Sequence, residues 1–421
     1  MNAGDLTIGD FTLRNARLRG EHPAIVFEDR VITHAAFAQK ACRLANALIS
    51  LGVRHGDRVA ILAQNCPEFM EVYAAGEIGG WITVTINYRL APAEIAYIIG
   101  DSRPCVVICE SQLVEKLGDD ARRPLRHVVT FGGPGPDHDY ETLCAKAPPT
   151  PPPARVRGDD IAFLIYTSGT TGRPKGVMLD HAGQVEAARI CALEAGVRPT
   201  DRFAMPMPLY HIGAKNLWLM HALSGATILL HRAFRPAELF AAMRADRATS
   251  TLLAPTMLSD LLEQTPANRD TLPDLRQIMY SAAPMPQALL RRSLQAFGPI
   301  FTQVYGMTES GGPGCVLHAH HHDPDDEAAL ARLPSAGQPM ISTDVRVMRP
   351  DGNFTEPGET GEIVIRGPAV MAGYWNNHAA TAEALIDGWL HTGDAGRADE
   401  DGFVFLVDRI KDMIVSGGEN I

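Results

Sequence analysis

Directly after the apolar run IAFLI at 161–165 stands the string YTSGTTGRPKG, Tyr166 to Gly176, dense in hydroxyls and glycines and carrying Lys175 next to its end. Such a loop can wrap phosphates. Glycines allow close backbone approach and positive φ, the Thr and Ser hydroxyls donate to phosphate oxygens, and Lys175 adds a mobile positive charge. The spacing is not the Walker pattern G-x-x-x-x-G-K-S/T, because Pro174 stands five residues beyond Gly169 and Val177 five beyond Gly172. A flexible solvated loop is the bland alternative, and it does not require so ordered a string. Five more strings follow: PLYHIG at 208–213, YSAAP at 280–284, QVYGMTE at 303–309, WLHTGD at 389–394 and DRIKD at 408–412.

In this order the strings resemble the adenylate-forming superfamily of acyl-CoA synthetases, luciferases and nonribosomal peptide adenylation domains, whose phosphate loop reads S/T-S-G-S/T-T-G-x-P-K-G. The resemblance runs from about Gly20 to Ile421. It implies activation of a carboxylic acid by ATP. A carboxylate repels a thiol nucleophile and has no good leaving group, so it first becomes a mixed anhydride with AMP, with loss of pyrophosphate, and then passes to the thiol of coenzyme A. Charge develops on phosphate oxygens throughout, so N–H donors, Lys or Arg and Mg²⁺ should provide most of the catalysis.

Site roles follow from the family match. Thr167, Ser168, Gly169, Thr170, Thr171, Gly172 and Lys175 form the phosphate loop. Glu309 is the expected Mg²⁺ ligand, assisted by Thr167, since Mg²⁺ takes one or two protein oxygens and completes its shell with phosphates and water. Thr308 would bond the α-phosphate. Tyr305 would stack on adenine beside Ala282, Ala283 and Pro284, with Gln303, Val304 and Gly306 completing the nucleotide site. Asp394 would accept from the ribose hydroxyls, Arg409 would donate to them, and Lys411 is the hinge candidate. Lys175, His211, Thr308 and Glu309 are the expected catalytic set.

His211, Ala214, Lys215, Ser281, Val304, Gly306 and Pro313 are the acyl-pocket candidates. Many relatives have Gly where this chain has Val304, and a β-branched side chain should narrow the cavity, favouring a medium-chain or aromatic acid. Lys215 is open to two readings, contact with a distal polar group of the acid or a snorkelling surface lysine. A lone His is more often structural than catalytic, and for His211 the resemblance implies a place beside the acyl carboxylate. The cluster His318, His320, His321 and His322 reads as a solvated loop rather than a zinc site, since adjacent histidines point in different directions.

These groups need an extended scaffold. The chain has 421 residues, 46% hydrophobic, 21% charged and 6% aromatic, which is globular and not disordered. Thirty-eight Lys and Arg against 49 Asp and Glu leave a charge of −11, the wrong sign for nucleic acid. Seven scattered cysteines without a C-x-x-C pair fit reduced thiols of a cytoplasmic protein. No signal peptide is read at the start, and no apolar stretch is long enough for a membrane span. The expected partners are small molecules, and a homodimer is compatible with the sequence.

From Ala36 to Gly52 apolar positions step by four and three, predicting a helix. RVAIL at 58–62, CVVIC at 105–109, VVTF at 128–131, IAFLI and the segments at 250–254 and 277–280 predict strands of a mostly parallel sheet. The proline run at 148–153 predicts a stiff connector. The expected fold is therefore α/β, two mixed or parallel sheets flanked by helices in layers, plus a small β-barrel-like subdomain. The expected division is a first α/β subdomain at 1–150, a second at 151–336 with the phosphate loop and acyl pocket, a β-rich part at 337–408, and a hinge at 409–421. In the resemblance a small mobile domain follows that hinge, and its loss would impair turnover. A carrier-protein thiol as acceptor, or a nucleotide- or acyl-adenylate-binding protein with little turnover, are the alternatives to a CoA ligase.

Overall fold

The apolar stripe predicted near residue 36 forms the helix His34–Ser50, which buries Phe37, Ala41, Leu44 and Leu48. Thr33 Oγ1 accepts from Ala36 N at 3.2 Å, satisfying one of the donors that a helix start leaves open. The computed structural model describes residues 6–167, 173–323, 326–409, 415–416 and 419–420.

An eight-stranded sheet runs in the order Gly373–Tyr374, Lys175–Asp180, Ile161–Thr167, Ile82–Ile86, Arg58–Leu62, Val106–Glu110, His127–Phe131, His138–Asp139. From Ile161–Thr167 onward the neighbours are parallel, and the first two strands are added antiparallel. A nine-stranded sheet runs in the order Gln338–Pro339, Cys315–Leu317, Phe301–Tyr305, Gln277–Tyr280, Ser250–Leu253, Arg202–Met205, Thr227–Leu230, Pro23–Phe27, Arg30–Thr33. Its interior is parallel and its edges are antiparallel. The third sheet is antiparallel. Asp344–Met348 pairs with Gly361–Arg366, which pairs with Trp389–Ala398, and both Leu385–Ile386 and Val404–Arg409 add to that last strand. This is the expected layered α/β fold with a small β-rich part.

The boundary expected at 150 does not separate the sheets. Pro23–Phe27 pairs with Thr227–Leu230 in the nine-stranded sheet, while Ile161–Thr167 pairs with Ile82–Ile86 in the eight-stranded one. Strands are thus exchanged across the proline connector, because pairing partners are chosen by long-range packing that a local pattern does not carry. The connector itself holds no regular element between Ala145 and Ile161. The β-rich part is likewise stitched into both larger sheets, through Gln338–Pro339 and Gly373–Tyr374.

Two helices are buried nearly all round. Pro67–Gly79 is buried at every position except Glu68, and Ile212–Ser224 is buried from Ala214 to Ala222, Glu71, Glu77, Lys215 and His221 included. Tyr73 of the first packs edge-on against Phe163 of the eight-stranded sheet and donates its hydroxyl to Leu209 O, in the loop after the strand Arg202–Met205 of the other sheet. Among the described residues no helix is long and apolar enough to cross a membrane.

Candidate active site

Strands Ile161–Thr167 and Lys175–Asp180 form a hairpin in which Thr167 faces Lys175. The loop between them therefore leaves and returns at one point. Ser168, Gly169, Thr170, Thr171 and Gly172 lie outside the described residues. The base of the loop is clamped by the helix Pro92–Ser102. Tyr97 donates its hydroxyl to Pro174 O at 3.2 Å, and Tyr166 donates to Asp101 Oδ2 at 2.6 Å. Burial, then Asp101, pushes the Tyr166 hydroxyl well above its usual range, so it stays a neutral donor.

The residues 306–312 fold back on themselves, with Gly312 N donating to Met307 O at 3.1 Å and Gly311 N to Thr308 O at 3.0 Å. Any Cβ on Gly306 would lie 1.8 Å from Gly312 O, so glycine is required there by the turn's own path. Asn216 pins the turn by donating to Gly311 O at 2.8 Å, and Met371 N donates to Glu309 O at 2.9 Å. Glu309 is 6% exposed. Its Oε1 accepts from Tyr374 at 2.9 Å and faces Thr167 Oγ1 at 3.4 Å. Thr308 is half-buried in the same turn. Lys175 Nζ sits 4.3 Å above the ring of Tyr374. Thus Thr167, Lys175 and Glu309, far apart in sequence, come together.

Among the described residues no three His, Cys, Asp or Glu side chains could jointly hold a metal. One carboxylate beside one hydroxyl is the oxygen-only set that suits Mg²⁺ when phosphates and water supply the remaining ligands. The residues present fit that ion.

Tyr305, at the end of Phe301–Tyr305, donates its hydroxyl to Asp394 Oδ2 at 2.7 Å, so the expected adenine and ribose residues touch. Burial, then the Asp394 charge, holds that phenol protonated. Asp394 follows a bulged bend in Trp389–Ala398. Glu362 grips the bend twice, accepting from Gly393 N at 2.9 Å and meeting His391 Nδ1 at 2.7 Å. Thr392 Oγ1 donates to Ile363 O at 2.6 Å and accepts from Asp394 N at 3.0 Å. Across the nine-stranded sheet Tyr280 is opposite Gln303, and the turn beyond it carries Ser281 and Ala283 half-buried, Ala282 at φ +74° and Pro284 exposed. Arg409 is opposite Asp394 in backbone register, its side chain lies outside the described residues, and so does Lys411.

His211 stands at the boundary position just before Ile212–Ser224, its ring 4.4 Å from that of Tyr210. The preceding loop is held by three buried side chains. Asn65 donates to Met207 O and His231 O at 2.9 Å each and accepts from Leu209 N at 2.8 Å, while Tyr73 and Thr85 donate to Leu209 O and Tyr210 O. Ala214 and Pro313 are buried, and half-buried Val304 packs against Ile190, Val316 and Met340.

Two expectations change. Lys215 does not snorkel: it is 0% exposed, with Nζ 5.2 Å from the Phe163 ring centroid and Glu77 and Cys191 as its charged and thiol neighbours. Burial pushes its pKa down to about 7 and that of Glu77 up to about 8. Nor are the histidines all solvated. His322 is buried, with Nδ1 2.9 Å from His318 O and Nε2 2.9 Å from the Tyr280 hydroxyl, and burial lowers its pKa to about 4. Its neutral ring therefore donates at Nδ1 and accepts at Nε2. Asn65, Tyr97, Asp101, Glu362 and Tyr374 were not anticipated. Each acts by touching a segment remote in sequence, and no local signal marks them.

The model for the family described as AMP-binding enzyme matches residues 13–375. The chain belongs to that family. A relative among the AMP-binding enzymes is a feruloyl-CoA synthase from Amycolatopsis sp, 37% identical over 98% of this chain and 81% of its own length. A long-chain-fatty-acid–CoA ligase from Mycobacterium tuberculosis is 36% identical over 93% of this chain and 76% of its own length. The fold is similar to that of o-succinylbenzoate coenzyme A synthetase from Bacillus subtilis, solved with its acyl-adenylate intermediate, at TM-score 0.84 and 30% identity over 98% of this chain and 80% of that one.

Proposed function

We propose that this AMP-binding enzyme is an ATP-dependent carboxylic acid–CoA ligase. The observation that carries the reading is the convergence of Thr167, Lys175 and Glu309 at the mouth of the phosphate loop, on the same 305–309 segment whose Tyr305 meets Asp394. The acid carboxylate attacks the α-phosphorus of ATP, the bond to the bridging oxygen breaks, and pyrophosphate leaves. The thiolate of coenzyme A then attacks the acyl carbon, and AMP leaves with the electron pair.

Lys175 and the loop N–H groups would bind the β- and γ-phosphates, and Thr308 would orient the α-phosphate. Mg²⁺, held by Glu309 with Thr167, would neutralise phosphate charge. Tyr305 and the 281–284 turn would bind adenine, and Asp394 with Arg409 would bind ribose. His211 would border the acyl carboxylate, with Ala214, Ser281, Val304, Gly306 and Pro313 around the acyl group. Val304 on the strand supports an aromatic or medium-chain acid, and the feruloyl-CoA synthase relative supports the aromatic arm.

ATP–pyrophosphate exchange across a series of aromatic and straight-chain acids tests the first half-reaction. Offering free CoA against a phosphopantetheinyl carrier protein tests the acceptor. Exchange with no acid, or transfer to the carrier alone, would overturn the proposal.

A further inference from the structure

Tyr374 touches two of the charged side chains of the proposed adenylation site, Glu309 and Lys175. It lies on the two-residue strand Gly373–Tyr374, which pairs antiparallel with Lys175–Asp180 opposite Val177. The segment 369–375 crosses from the Glu309 turn to the phosphate-loop hairpin. At one end Met371 N donates to Glu309 O at 2.9 Å, and at the other Trp375 N donates to Gly176 O at 2.7 Å. Between these main-chain ties Tyr374 presents two chemistries. Its hydroxyl donates to Glu309 Oε1 at 2.9 Å, and its ring face receives the Lys175 ammonium at 4.3 Å. Thr381 Oγ1 accepts from Tyr374 N at 2.9 Å, fixing the backbone that aims the ring.

We propose that Tyr374 is a positioning residue that sets the direction of the Glu309 carboxylate for a divalent cation and parks Lys175 beside the phosphate loop until nucleotide arrives. This rests on the ligase reading above. The hydroxyls of Tyr374 and Thr167 both converge on Oε1, so neither of them occupies Oε2. A carboxylate fixed in one rotamer loses less freedom on binding the ion than one that swings. The Lys175–ring contact is weak enough, about 1 kcal/mol at a part-exposed site, to give way to a phosphate.

The test is the Mg²⁺ concentration giving half of the ATP-induced thermal shift, which reads binding without turnover. Tyr374→Phe removes one oxygen and keeps the ring. It should raise that concentration about tenfold, the scale of one hydrogen bond to a charged group, and leave the shift given by the carboxylic acid alone unchanged. In a Glu309→Gln background the same change should have no further effect on Mg²⁺ dependence. Tyr374→His, which keeps a donor at shorter reach, should fall between Phe and wild type. Folded Tyr374→Phe with wild-type Mg²⁺ dependence, or an equal effect in the Glu309→Gln background, overturns the positioning role alone. A wild-type protein with no Mg²⁺-dependent ATP shift overturns the ligase reading and this role together.

Discussion

Asn65 offers the sharpest test of how the scaffold sets the acyl side of the site. It follows the strand Arg58–Leu62 of the eight-stranded sheet, yet its amide is spent on the loops after two strands of the nine-stranded sheet, bonding Met207 O, His231 O and Leu209 N at 2.8 to 2.9 Å. At 3% exposure, no solvent replaces these bonds in Asn65→Ala. Each is worth about 1 kcal/mol net, and the main-chain groups left unpaired add to the cost, so the loss should be about 3–5 kcal/mol, a large share of a typical stability of about 5–15 kcal/mol. Urea unfolding should show a lower midpoint at unchanged slope. Since the 207–211 loop delivers His211, the KM for the acid should rise several-fold while the KM for ATP stays near wild type. A stability loss under about 1 kcal/mol with an unaltered acid KM would refute the assignment of this amide as the anchor. Asn65→Asp should be no better, because it turns oxygen lone pairs toward two carbonyl oxygens.

Glu362→Ala frees the bend before Asp394, so it should raise the KM for ATP about tenfold while leaving the KM for the acid in place, as read by pyrophosphate exchange; equal rises in both would point to general unfolding instead. Tyr97→Phe removes the hydroxyl that holds Pro174 O, and isothermal titration should show ATP binding weakened about threefold to tenfold. For the buried Glu77 and Lys215, the signs are opposite. The raised pKa of Glu77 contributes stability that is full below 4.5 and lost as pH rises toward about 8, whereas the lowered pKa of Lys215 contributes stability that is full above 10.5 and lost as pH falls toward about 7. Lys215→Met should therefore flatten the alkaline limb of a urea-midpoint profile and Glu77→Gln the acid limb; a wild-type profile level across both windows would contradict the burial of these charges.

Much of the architecture could be read from the residues alone. The step of four and three between Phe37 and Leu48 marks a helix because side chains that far apart share one face, and RVAIL or IAFLI marks a buried strand because a short, nearly continuous apolar run suits a sheet covered on both faces. The proposed phosphate-loop string and the segment ending at Glu309 stand out in the sequence because each is a run of consecutive residues. What the sequence by itself determined was thus the kind of these elements and the α/β class they build. The tertiary structure alone decided that strands trade places across residue 150, that Lys215 is buried opposite Glu77, and that Asn65, Glu362 and Tyr374 hold loops distant from them in the chain. Local pattern follows from backbone geometry over a few residues, whereas these contacts arise from packing and hydrogen-bond satisfaction between segments far apart in the chain, 166 residues for Asn65 and His231.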